Sequence, residues 1–392
     1  MRTTMWLCVC ACALLAMASA VQGQETQWLQ YRSSADASRL DAWSSSRELE
    51  ALSERPPGVE LPEFKCDRPL FAQWKTEMVP AGFLWLAMDK AKGKGSYDLL
   101  YLDSDCDGSL ADETAIAPHR TDQYRRQFGP VKIVFPGEDG PITYHLNVTR
   151  YTYSGDRAGI RAAAGGWYEG RVTLEGKSLR FLLLDFNSNG AFNDLSLHFS
   201  DMDAFRLQSG DDLLVRAVGK YMSHAGKLYR MEIPRDGGSV RFVLAPGLPM
   251  GQVRTPPGTG HVAFLGPMYH HRTDPDENDL CQLAAGTYTV EYWNIERKDA
   301  MGKVWTMSAR ESENARPIEV KAGETVDLSI GDGTRADLET TKSGKSYTFK
   351  LKLVGTLGDN VRIAPKDGQS SPRLTITSAD GKYSRPQVFT YG

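Results

Sequence analysis

The chain has 392 residues, with 46 Lys and Arg against 49 Asp and Glu, so its formal net charge is −3. No basic stripe offers a nucleic-acid interface, and no acidic tail offers a site for a polycation partner. The length allows two or three domains with a sizeable core.

Residues 1–20 open with Arg2, run through thirteen mostly apolar residues from Met5 to Met17, and close on Ala18, Ser19 and Ala20. That is the pattern of a signal peptide with a small-x-small cleavage site. The expectation is therefore an exported protein, periplasmic, cell-surface or extracellular, whose mature chain starts near Val21. Cys8, Cys10 and Cys12 lie inside the apolar run rather than at its end, so no acylated cysteine is expected. No later segment approaches the roughly 18 apolar residues of a membrane span, and no transmembrane segment is expected. Past residue 20 three cysteines remain, Cys66, Cys106 and Cys281. A Cys66–Cys106 bridge and three unbridged thiols both stay open, because sequence gives no connectivity.

Residues 21–64 are rich in Ser, Ala, Arg and Glu and end in Pro56, Pro57 and Pro62, which reads as a leader or linker. Ser46–Ser53 predicts two turns of helix, docked through Trp28 or Tyr31 because so short a helix is unstable alone. Residues 65–245 read as a β-rich domain of short apolar runs separated by Gly, Asp and Asn. Gly82–Met88, Tyr97–Leu102, Val131–Phe135 and Ile142–Val148 are the expected strands, and Asp112–His119 with Thr121–Phe128 the only expected helical turns.

One stretch of this domain carries specific chemistry. After Leu100–Leu102 come Asp103, Asp105 and Asp107 at alternate positions, then Gly108, and the pattern returns as Asp185, Asn187 and Asn189 ahead of Gly190. Three carboxylates so close repel one another, by about 0.8 kcal/mol per pair at roughly 5 Å in water and several-fold more when desolvated. A hard divalent cation turns that penalty into attraction, and calcium accepts six to eight oxygens with flexible geometry. The alternative is a solvated acidic turn without metal, since Asp, Asn and Gly favour turns for local reasons. The expected ligands are Asp103, Asp105, Asp107, the Ser109 carbonyl and Asp112 in one loop, and Asp185, Asn187, Asn189, the Ala191 carbonyl and Asp194 in the other. Glu113 is a further candidate. Ser96–Asp103 aligns without gaps on Ser178–Asp185, so the unit is strand, turn, strand, acidic loop. A third, shorter echo at Gly226–Ile233 ends in the turn Pro234–Gly238 instead.

The spacing resembles EF-hand loops at positions one, three and five, with Gly at six and an apolar residue, Leu110 or Phe192, at eight. It departs from that family at position twelve, where Thr114 and Ser196 stand in place of a bidentate Glu, and in the strand that enters each loop. The nearest resemblance is to EF-hand-like strand-loop calcium motifs of exported bacterial β-rich proteins. It implies about two calcium ions of structural type, with a dissociation constant of roughly 10⁻⁴ to 10⁻³ M. A sensor mechanism is not implied, because opening needs flanking helices.

The Pro/Gly-rich stretch from Ala245 marks a boundary. Residues 246–335 read as a β-sandwich of the immunoglobulin or transthyretin kind, with Leu283–Tyr292 and Ile318–Leu328 alternating at period two. Residues 336–392 supply C-terminal strands that complete or pack on that sandwich. The fold class expected for the whole is mainly β, repeated hairpins with two calcium-type loops followed by a sandwich region.

Tyr269–Asp279 gathers His270, His271 and four acids. Adjacent histidines point opposite ways in an extended segment and do not readily share an ion, so a solvated loop is the simpler reading. Trp167, Tyr168, Trp293 and Trp305 could form a sugar platform or belong to the core. No GxSxG, HExxH, phosphate loop or CxxC is present. The functional expectation is an exported calcium-binding β-protein, non-enzymatic, with a structural, adhesion or ligand-binding role toward a protein or glycan. The alternative is a calcium-stabilised hydrolase of polysaccharide with an acid pair near Asp274–Asp279, carboxylates about 5 to 10 Å apart.

Overall fold

A computed structural model describes residues 25–35, 45–152, 158–208, 215–312, 315–366 and 372–389. The expected signal peptide lies outside the described residues. The fold is mainly β and built largely from antiparallel sheets, with no α-helix among the described residues and none long and apolar enough to cross a membrane. The chain divides into two compact units, residues 1–195 with 200–245, and residues 196–199 with 246–392.

The described residues of unit 1 form four antiparallel sheets. Leu70–Lys75, Phe83–Asp89 and Leu99–Leu102 form a three-stranded meander. A five-stranded sheet runs Ser46–Leu49, Ala158–Ala164, Ile142–Thr152, Arg125–Phe135, Arg120–Thr121. A second runs Val215–Ala217, Ala204–Gln208, Lys177–Leu184, Gly166–Leu174, Gln30–Ser33. The fourth holds Tyr221–His224, Lys227–Glu232, Ser239–Leu244 and Gln27–Trp28.

Period-two alternation sets which faces are buried. Along Ile142–Thr152 the residues Tyr144, Leu146 and Val148 point inward and their neighbours are half-buried, as expected of a strand with one face on a core. Lys177–Leu184 starts in the same way, but Phe181–Leu184 are buried on both faces, so the second acidic loop begins inside the unit. The core gathers Trp74, Phe128, Phe135, Tyr144, Phe181, Phe192, Phe205 and Phe242. Trp74 stacks on Tyr144 and Phe135, with ring centroids 5.6 and 6.2 Å away. The other face of the meander carries a smaller cluster of Phe71, Ala87, Tyr101 and Leu110.

Two expectations are corrected here. Within the stretch read as a leader or linker, Gln27–Trp28, Gln30–Ser33 and Ser46–Leu49 each add an edge strand to a different sheet, and no helix forms at 46–53. Ser46–Leu49 is extended because it pairs with Ala158–Ala164 over four residues, and that tertiary pairing outweighs the weak helix preference of the segment. Where helical turns were expected, Ile116 bridges to Leu100 and Arg125–Phe135 is a strand.

Unit 2 has a long sheet in the order His271–Thr273, Thr259–Leu265, Gly286–Lys298, Val304–Arg310, Asn360–Pro365, Ser346–Val354, Arg335–Ser343. Leu280–Ala284, Met250–Arg254 and Thr325–Asp327 form a small sheet whose last pair is parallel. A separate hairpin joins Arg373–Thr377 to Ser384–Val388.

Candidate metal centre

Both acidic loops leave the second strand of a hairpin. The first follows Leu99–Leu102, paired with Phe83–Asp89, and the second follows Lys177–Leu184, paired with Gly166–Leu174. In the first, the Asp103 carboxylate accepts the N–H groups of Asp107 and Gly108, both at 3.1 Å. In the second, Asp185 accepts those of Asn189 at 3.1 Å and Gly190 at 2.7 Å, the same offsets along the chain. Ser109 N–H donates to Asp107 Oδ1 at 2.7 Å, and Ala191 N–H donates to Asn189 Oδ1 at 2.9 Å.

The backbones turn in the same way. Cys106 and Ser188 have φ of 68° and 57°, and the glycines that follow, Gly108 and Gly190, have φ of 87° and 94°. A left-handed conformation of this kind is why glycine stands at the sixth position. At the eighth, Leu110 N–H donates to the Glu60 carbonyl at 2.8 Å and Phe192 N–H to the Arg235 carbonyl at 3.0 Å. Burying each apolar side chain is worth about 1.5–3 kcal/mol and ties its loop to a hydrophobic cluster.

The first loop concentrates oxygens. One carboxylate oxygen each from Asp103, Asp105 and Glu113 lie within 4.8 Å of one another, and so do single oxygens from Asp105, Asp107 and Asp112. This cluster could hold a metal ion. Asp103 is nearly buried, whereas Asp105, Asp107 and Asp112 are exposed. Burial pushes the Asp103 carboxyl up to about 6, with Asp107 and Asp105 adding to the shift. Glu113 turns back to accept the N–H of Ser104 and its hydroxyl, which places the residue at position eleven inside the cluster.

The second loop is internal. Asp185, Asn187 and Ser188 are buried, and Trp74 Nε1–H donates to the Ser188 carbonyl at 2.8 Å. Tyr144 donates its hydroxyl to Asp185 Oδ2 at 2.7 Å. Burial pushes the Asp185 carboxyl up to about 6, against the pull of these donors. The two amides present nitrogen to the last acid: Asn187 Nδ2 and Asn189 Nδ2 both donate to Asp194 Oδ2, at 3.0 and 2.8 Å. A buried acid that the loop spacing does not single out, Asp203, accepts the Asp194 N–H at 2.8 Å. Its only signal in the sequence is its position at the head of the Ala204–Gln208 strand.

The donors gathered in the first loop are carboxylate oxygens, which suits a hard cation and not a soft one, and among the described residues no group of three acids converges in the same way at the second loop. Among the described residues no disulfide is formed, Cys66, Cys106 and Cys281 being free, and burial among acids pushes the Cys106 thiol up to about 12.

The other candidates are dispersed. His270 is buried with Nε2 2.7 Å from Glu291 Oε2, while the His271 ring lies 5.3 Å from that of Tyr269. Asp274 pairs with His261 at 2.8 Å. Asp276 accepts the N–H groups of Asn278 and Leu280, both at 2.9 Å, so it serves the turn. Trp167, Tyr168 and Trp293 are core residues, and Trp305 Nε1–H donates to Asp299 at 2.9 Å.

No protein-family model, curated protein or solved structure matches this chain.

Proposed function

We propose that the chain is an exported β-protein in which two acidic loops bind calcium as structural clasps. The loops are read as two copies of one hairpin-plus-loop device, each closing a hairpin against a neighbouring strand. The observation that carries this reading is the shared hydrogen-bond frame, in which the first acid of each loop collects the amides four and five residues on. In the first loop carboxylate oxygens gather in two groups of three that share Asp105, and these acids repel one another unless a cation lies among them. The flanking strands leave no helix pair to open, so the ion braces the fold rather than signalling.

The physiological role then belongs to other surfaces. Unit 2, read as a sandwich of the immunoglobulin or transthyretin kind, is the candidate for contact with a protein or glycan in the envelope or outside the cell. Calorimetric titration of the EDTA-stripped chain with calcium tests the chemical half of the proposal. Two binding events are expected, and the absence of any saturable binding at millimolar calcium would contradict it.

A further inference from the structure

We propose that Asp203 is a cation ligand of the second loop, completing a buried site with Asp185, Asn187, Asn189 and Asp194. The proposal rests on the reading that the loops bind a divalent cation, and it adds a ligand that neither the loop nor its resemblance supplies.

Strand register brings Asp203 to the site. Lys177–Leu184 pairs antiparallel with Ala204–Gln208, and the last matched pair is Leu184 with Ala204. The next residues along the two chains are Asp185 and Asp203, both buried at the end of this hydrogen-bonded pair of strands.

Unpartnered oxygens mark the same place. Among the described residues four buried side-chain polar atoms lack a hydrogen-bond partner, and two of them, Asn187 Oδ1 and Asp203 Oδ1, belong to this loop and its neighbour. A buried acceptor left unpaired costs about 1–3 kcal/mol, and more when charged. Asp89 in the same unit shows how a buried carboxylate is otherwise accommodated. It is also fully buried, but it accepts the N–H groups of Lys65, Cys66 and Lys90 at 2.7 to 3.0 Å, and these hold it below the usual carboxylate range against the opposing effect of burial. Asp203 instead lies beside Asp185 and Asp194, and although its Oδ2 accepts the Asp194 N–H at 2.8 Å, its Oδ1 has no hydrogen-bond partner. A cation among the three acids would satisfy both unpartnered oxygens and the charge together.

The comparison with the first loop explains why an outside acid is needed. At position eleven the first loop has Glu113, which folds into its cluster, whereas the second has Leu195. Two amides also replace two acids in the second loop. Asp203 restores a third carboxylate; with Asp185, Asp194, the Ala191 carbonyl and the Asn187 and Asn189 amides, which turn oxygen instead of nitrogen inward when the ion binds, it brings the oxygen ligands to six, leaving at most about two of calcium's roughly six to eight positions for water.

The test is an ion count by native mass spectrometry and a calcium titration on the full chain, on Asp203→Asn and on Asp105→Ala. Wild type is expected to hold two ions and Asp105→Ala one. Asp203→Asn is expected to hold one, or to bind its second at least about tenfold more weakly. Because Asn keeps an acceptor for the Asp194 N–H but removes charge, Asp203→Asn should melt no lower than wild type in EDTA and lower than wild type in calcium. A purely structural acid would lower the melting temperature under both conditions. If Asp203→Asn retains two ions with wild-type affinity, the proposal is overturned while the two-site reading stands. If wild type holds no ion, that reading fails and the proposal with it. A measurement that leaves Asp203 intact gives an independent check: terbium bound to Asp105→Ala should show luminescence lifetimes in H₂O and D₂O that fit at most about two coordinated waters. A count of about three or more would overturn the proposal.

Discussion

The two acidic loops share a backbone and differ in what surrounds it. In the first, Asp105, Asp107 and Asp112 face solvent, and the loop supplies its own closing acid, Glu113. In the second, the entry acid is sealed under Tyr144, the middle of the loop is held by the Trp74 indole, and the last acid is held by two amides. The same turn can therefore serve as a surface clasp or as part of a core. Charge in the first is softened by water and salt; in the second Asp185 and Asp203 are buried away from both, so these acids need partners. Fewer acids suffice inside because each interaction is stronger there, and an acid from a neighbouring strand is the one addition the buried setting calls for.

Substitutions at equivalent positions sharpen the contrast. The largest effect is expected at Trp74, which is fully buried and hydrogen-bonded to the second loop and has no counterpart at the first. Trp74→Ala should cost about 3–5 kcal/mol in urea unfolding and should weaken calcium binding at the second loop while sparing the first. Next come the entry acids. Asp185→Ala strands the Gly190 and Asn189 amides and the Tyr144 hydroxyl, with an expected loss of about 2–4 kcal/mol. Asp103→Ala leaves its two amides nearer to water and should cost about half as much. Equal losses at the two positions would remove the distinction between surface and core.

The glycines at position six give a further difference between the loops. A methyl group on Gly108 meets nothing within 4 Å, so Gly108→Ala should cost only the left-handed strain, about 1–2 kcal/mol. On Gly190 the same methyl comes to 3.0 Å from Thr76 Oγ1, 3.2 Å from Phe135 and 3.3 Å from Met78. Gly190→Ala should therefore add an overpacking cost of about 1–3 kcal/mol, visible as a lower urea midpoint than Gly108→Ala.

Which of these features could be read in advance follows from the range of the interaction behind each. The loop frame is local: Asp, Gly and an apolar residue at fixed spacing specify a turn by bonds that reach four or five residues, and those residues announced it. The hairpins before the loops were legible for the same reason, as alternating apolar runs bounded by turns. Ser46–Leu49 was not, because its four residues carry no period of their own and only pairing with Ala158–Ala164 makes them extended. Asp203 escaped for a related reason. Its place beside Asp185 is set by the register between two strands, and a lone Asp ahead of Ala204 carries no mark of that register. Asn187 and Asn189 were expected to offer oxygen, but in the folded chain the nearest strong acceptor, Asp194, draws their nitrogens instead.

The most direct measurement is the thermal unfolding of the full chain in millimolar calcium and again after thorough removal of metal with EDTA. Metal removal should lower the melting temperature of unit 1 by several degrees, and restoring calcium should recover it. An unchanged melting temperature in the stripped protein would show that neither loop is braced by an ion and would contradict the calcium-clasp reading.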